Sequence, residues 1–309
     1  MSDLELPELP PRQPSDPPEP PDTPLWYLEP PRKFRHRYWI HIALFLATLA
    51  STTLVGMTSL DWRSGLWYSI PILVILTAHE FGHYIACRVH DVDATLPYFI
   101  PMPFLPLTGT LGAVIRIREP FPSKQALFDI GIGGPLAGFI TLLPFLFWGV
   151  HTSTIVPIDP HAPVLWLGEP MIFKLAKWVS FGPIPVGHDL TISSMGFAAW
   201  FGLLATALNL MPFGQLDGGH IAYASFGPEA RYVSMVTLAI AIGLTVWSLS
   251  WVSMTVMLLV MAWFLGFSHP RIIDEDEPLD PTRRALAVLA LIIFLISFTP
   301  VPIETLFEG

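Results

Sequence analysis

Almost uncharged stretches of membrane length recur along this chain at residues 38–57, 66–87, 126–150, 192–211, 232–249, 251–267 and 285–301. A stretch of that length spans the roughly 30 Å hydrocarbon core of a bilayer as a helix. With 52% hydrophobic and only 13% charged residues, and a mean hydropathy of +0.54, the chain does not describe a water-soluble globule. The expected fold is an all-α polytopic membrane protein of about seven transmembrane helices. The formal charge of -9 argues against nucleic acid as a partner, and the expected environment is the lipid bilayer.

The ends of the chain are of another kind. Residues 1–31 hold eleven prolines and seven acidic residues, with Arg12 the only base. Such a segment cannot bury enough apolar surface to fold, and it has no apolar core that would make it a signal peptide. A basic cluster, Arg32, Lys33, Arg35 and Arg37, stands directly before the first span and is expected to stay cytoplasmic. Seven spans from that start put thirteen of the sixteen Lys and Arg residues on inner segments; Arg63, Lys174 and Lys177 fall outside. The expected division is therefore a disordered tail and basic cluster at 1–37, one membrane domain at 38–301 and a short tail at 302–309.

At the inner end of the second span stands Ala78-His79-Glu80-Phe81-Gly82-His83. On a helix His79 and His83 lie one turn apart on one face, so both imidazoles reach one ion. Glu80, beside the first histidine, is set to take a proton from a metal-bound water; this is the HExxH arrangement of zinc metalloproteases. Two histidines and a glutamate in an apolar segment are costly to bury, and a bound ion compensates them. Cys87, one turn beyond His83, is the chain's single cysteine, which excludes an intrachain disulfide; it reads as a packing residue.

Residues 96–106 are apolar but too rich in proline for a helix, and residues 109–118 end in strand-like alternation. Together they read as a re-entrant loop and β-hairpin between spans two and three; a loop lying on the membrane interface is the alternative. An exposed strand edge there, including Gly109, Thr110, Leu111 and Gly112, could hold a substrate in extended form. The third span carries Gly131, Gly133, Gly134, Pro135 and Gly138, small enough for close helix approach. Asp129 in it reads as a cap, with support of the site as the alternative. Residues 151–191 are expected outside, with a short amphipathic helix at 171–178. The fourth span breaks at Asn209-Leu210-Met211-Pro212, and the following flexible turn can aim Asp217 back into the bundle. His220 reads as a supporting or interfacial residue rather than a further ligand. A tight hairpin joins spans five and six, and a polar linker, residues 268–284, precedes the seventh.

His79-Glu80-Phe81-Gly82-His83 on one span and Asn209-x-x-Pro212-x-x-x-Leu216-Asp217-Gly218-Gly219 on another resemble the HExxH and NxxPxxxLDGG motifs of the site-2 proteases, which are intramembrane zinc metalloproteases. Gly109-Thr110-Leu111-Gly112-Ala113 and Gly134-Pro135-Leu136-Ala137-Gly138 are similar to the bacterial and chloroplast branch. The resemblance covers residues 66–225 specifically. It implies one zinc held by His79, His83 and Asp217, Glu80 as catalytic base, and Asn209 positioning a substrate strand. The fourth zinc position is left open, as catalysis requires; Fe or Mn would suit the same donors. The implied activity is cleavage of a transmembrane segment of another membrane protein, in a bacterial cytoplasmic membrane. Phe81 stands where leucine is usual, and no PDZ-like or CBS-like domain is present. A transporter would not need Glu80, and a silent scaffold would be expected to have lost it or a ligand.

Overall fold

A computed structural model describes residue 34 and residues 37–58, 60–103, 107–118, 120–158, 165–267, 272–274 and 277–305. The Pro-rich tail, most of the basic cluster and parts of the polar linker lie outside the described residues. Helix α1 is Tyr38–Gly56, α2 Trp62–Val89, α3 Lys124–His151, α4 Met171–Phe181, α5 Ser194–Asn209, α6 Asp217–Phe226, α7 Ala230–Trp247, α8 Val252–Leu265 and α9 Pro281–Ser297. Three antiparallel strand pairs accompany them: β1 (Tyr98–Pro101) with β2 (Thr110–Val114), β3 (Thr154–Pro157) with β5 (His188–Thr191), and β4 (Leu165–Leu167) with β6 (Ile303–Thr305). Four helical stretches among the described residues are long and apolar enough to cross a membrane: α1, α2, α3, and α6 continued into α7. At the positions of the other three expected spans stand α5, α8 and α9, whose 16, 14 and 17 residues fall short of that length. At 1.5 Å per residue α5 reaches only about 24 Å, because the chain leaves the helix at Asn209.

Helix α3 is the central strut. Half of its apolar window is buried, against 17% for α1, and it packs on α2, α4, α5, α6 and α9. The closest of these approaches is with α2. A Cβ added to Gly82 would stand 2.2 Å from the Gly133 carbonyl oxygen, so the two backbones touch with no side chain between them. Ser123 caps the start of α3, accepting from the Ala126 N–H at 3.1 Å.

The β1–β2 hairpin rests on α1. His41 Nδ1 donates to the Pro97 carbonyl at 3.0 Å, Ser51 Oγ donates to the Gly109 carbonyl at 2.7 Å, and the Phe45 and Phe99 rings meet edge to face. Polar side chains of α1 thereby bond backbone carbonyls at the two ends of the hairpin segment. At the far end of the bundle, the indole of Trp200 donates to the Gly168 carbonyl at 2.7 Å and that of Trp251 to the Pro300 carbonyl at 2.6 Å. These bonds fasten the segments around β4 and β6 to the helices. Residues 303–305, expected as loose tail, are a paired strand.

Asp129 does not cap a helix. It accepts from His90 Nε2 at 2.7 Å and from Arg283 Nε at 2.8 Å, with a second bond from the Arg283 guanidinium. The carboxylate thus ties the C-terminal cap of α2 and the first turn of α9 to α3. Arg283 also bonds Asp280, which caps α9 and whose carboxyl is held below the usual carboxylate range, first by that side-chain bond. Asp129→Asn and Arg283→Gln should each destabilise the protein by about 1–3 kcal/mol, the range for hydrogen bonds to charged groups. The double variant should cost less than the sum. Unfolding in detergent measures this, and strict additivity would show that the two groups do not act together.

Candidate metal centre

His79 and His83 share one face of α2, as their spacing requires, and both are buried. The chain then supplies Asp217 from the first residue of α6, after the break at residues 210–216. A carboxylate in the first turn of a helix is favoured by the orphan N–H groups there. His79 Nε2 lies 3.2 Å from one Asp217 oxygen and His83 Nε2 lies 3.3 Å from the other. The two Nε2 atoms are 3.1 Å apart. Donors at 2.0–2.1 Å from a tetrahedral zinc stand about 3.3 Å from one another, so this spacing suits that ion. Among the described residues these are the only three of the His, Cys, Asp and Glu side chains so gathered.

The tautomer of His83 is set from α3. Its Nδ1 lies 2.6 Å from the Ile130 carbonyl oxygen, which only accepts, so the proton sits on Nδ1 and the Nε2 lone pair faces the trio. The same turn of α3 makes room for the ring. A Cβ on Gly134 would lie 2.1 Å from His83 Nε2, whereas one on Gly138 would lie 3.2 Å from His79 Nδ1. Pro135 removes one bond from the helical ladder here.

Asn209, the last residue of α5, brings its Nδ2 to 3.3 Å from His79 Nε2, at the edge of the trio. Glu80 is buried, within electrostatic reach of His83 and Asp217, with the backbone of Ile115 against its carboxylate. Ile115 directly follows β2, in the segment that reaches the bridge between Ala94 and Ile117. The Thr95 N–H donates to the Arg116 carbonyl and the Arg118 N–H to the Asp93 carbonyl. Arg116 and Arg118 therefore turn their backbone toward the β1 side, and the alternate residues turn theirs away from it. The edge opposite β1 is the one that meets Glu80.

The other expected residues divide. Thr110 is buried, its hydroxyl donating to the Ile100 carbonyl, and Gly109 lies against the α1 backbone, so both build the hairpin. Leu111 is exposed and Gly112, at φ +98°, has open space beside it. Cys87 is buried in the apolar core away from the trio. His220 is likewise outside the trio, its ring edge-on to Phe121. The Ile130 carbonyl and Gly134 were not singled out from the sequence for these roles. The small-residue run in the third span was their only trace.

A sequence profile of Peptidase family M50 matches residues 67–250. Similar curated proteins include Probable zinc metalloprotease EGY2, chloroplastic, of Oryza sativa subsp. indica, 31% identical over 189 residues, which are 59% of this chain and 32% of the relative. Another is Probable zinc metalloprotease EGY1, chloroplastic, of Arabidopsis thaliana, 29% identical over 243 residues, 74% of this chain and 42% of the relative. The chain thus spans about a third to two-fifths of the length of these relatives.

Gly134→Ala should push the His83 ring out of place and weaken zinc binding about 10–100-fold, the usual cost of disturbing a group that orients a ligand. Gly138→Ala, where a Cβ would stand 3.2 Å from His79 and ask it to give by only a few tenths of an ångström, should change it far less. Zinc titration of the purified variants measures both, and equal effects would show that clearance at Gly134 does not set the ring.

Proposed function

The chain belongs to peptidase family M50, the site-2 protease family, and from that membership we propose that it is a zinc-dependent endopeptidase that cuts transmembrane segments of other membrane proteins. The observation that carries the reading is the trio of His79, His83 and Asp217 donors at 3.1–3.3 Å, with Glu80 buried beside them. His79, His83 and Asp217 would hold zinc, which would supply Lewis-acid polarisation of a water and a carbonyl. Glu80 takes the proton of the attacking water and returns it to the amine that leaves as the peptide bond breaks. Asn209, an amide at the edge of the trio, orients the substrate backbone. The bundle around the site keeps bulk water from competing with the substrate.

In the same proposal the substrate unwinds and adds as a strand to the edge opposite β1, from Leu111 through Ile115, where its carbonyl comes beside Glu80. That edge is supported by the backbone of Ile115 against the Glu80 carboxylate. The hairpin re-enters the bilayer, α5, α8 and α9 complete seven spans, and the membrane domain runs over residues 38–301. The N-terminus lies on the side of the basic residues, the cytoplasmic side. The relatives named above are chloroplast proteins; this chain is read as an integral multi-pass protein of a bacterial cytoplasmic membrane.

Purified protein should bind about one zinc per chain, and His83→Ala or Asp217→Ala should lose it. Glu80→Gln should keep zinc and lose cleavage of single-span reporters by about 10²–10⁴-fold, the usual worth of a general base. Cleavage at the wild-type rate by Glu80→Gln, in a preparation free of other proteases, would end the reading. Ala113→Pro removes a donor from the open edge and should slow cleavage with zinc retained. An unchanged rate would move the substrate away from this strand.

A further inference from the structure

On the other side of α6 from the histidines lies a cleft of about 750 Å³, bounded by α6, the start of α7 and α9. Its walls are apolar, with Ile221 and Phe226 facing Ala287 and Phe294, and Gly218 next to Asp217 is part of the lining. Lys124 and Arg284 line it too, and no acidic side chain does so among the described residues. Both bases begin helices, α3 and α9 respectively. Arg284 donates its Nε–H to the Leu279 carbonyl at 2.8 Å.

We propose that this cleft is a binding site for one anionic phospholipid, with the phosphate held by Lys124 and Arg284 and an acyl chain lying along α9 between Ala287 and Phe294. Three physical points support this occupant. An apolar cleft open to a bilayer does not stay void, since its lining atoms would lose their dispersion contacts, and acyl chains are the apolar matter at hand. The lining runs along α9 from Arg284 to Phe294, ten residues or about 15 Å, which is half the hydrocarbon core and so the depth of one leaflet. Basic groups at one end of a groove between membrane helices select an anionic headgroup. The site is separate from the metal chemistry and is tested without it. Its occupant would brace α6, the helix that presents Asp217.

Native mass spectrometry of the full purified chain, titrated with phosphatidylglycerol and with phosphatidylcholine of the same acyl chains, reads the site directly. The wild type should retain one phosphatidylglycerol about 10- to 30-fold more tightly than phosphatidylcholine, the preference two basic groups confer. Lys124→Gln with Arg284→Gln should reduce that preference to a few-fold, and Arg284→Lys should keep it. Ala287→Phe, which fills the cleft, should weaken both lipids. If Arg284→Gln disturbs the start of α9, seen as a lowered unfolding midpoint, Lys124→Gln alone carries the test. Equal retention of the two lipids by the wild type, or a preference that survives the charge variants, overturns the proposal. So does a single-span helical peptide that occupies the cleft without any headgroup preference.

Discussion

Two helix backbones in direct contact hold the buried polar centre together. In a bilayer there is no hydrophobic gain from pressing apolar helices against one another, so close packing and internal hydrogen bonds must do that work. Gly82 against Gly133 lets α2 and α3 approach without side chains between them. That closeness puts the Ile130 carbonyl within 2.6 Å of the His83 ring. Set the helices apart by the width of a methyl group and the tautomer, the ring position and the spacing to Asp217 would all be lost together.

Around that contact, segments that are not helical bring further polar groups to the histidines and Glu80 of α2. The turn at residues 210–216 lets α6 start afresh with Asp217 as its first residue. The hairpin turns one strand edge toward Glu80 while α1 satisfies its other backbone groups through His41 and Ser51. Irregular backbone in so apolar a setting is tolerated where each stretch has protein partners. The regular helix α2 carries His79, Glu80 and His83, and the break before α6 brings Asp217 to them.

The pair of histidines and Glu80 could be read from sequence because helical periodicity converts a spacing of four into a shared face. Asp217 could be recognised only through a second motif, since nothing local says where a residue after a helix break will point. The Ile130 carbonyl was invisible, because a backbone oxygen carries no residue type. Asp129 was misread as a cap for a related reason: its partners His90 and Arg283 lie 39 and 154 residues away. The strands β3 to β6, three or four residues each, are too short for alternation to register. Apolar runs likewise overstate the lengths of α5 and α8, because apolarity continues past the point where the helix ends.

The centre is divided in time as well as along the chain. His79 and His83 are synthesised well over a hundred residues before Asp217, a delay on the order of ten seconds at ordinary rates of translation. During that interval α2 and α3 can already pair, with His83 set against Ile130, while the third donor does not yet exist. The nascent chain thus enters the membrane with an incomplete centre. The three donors come together only when α6 folds back against helices already in place.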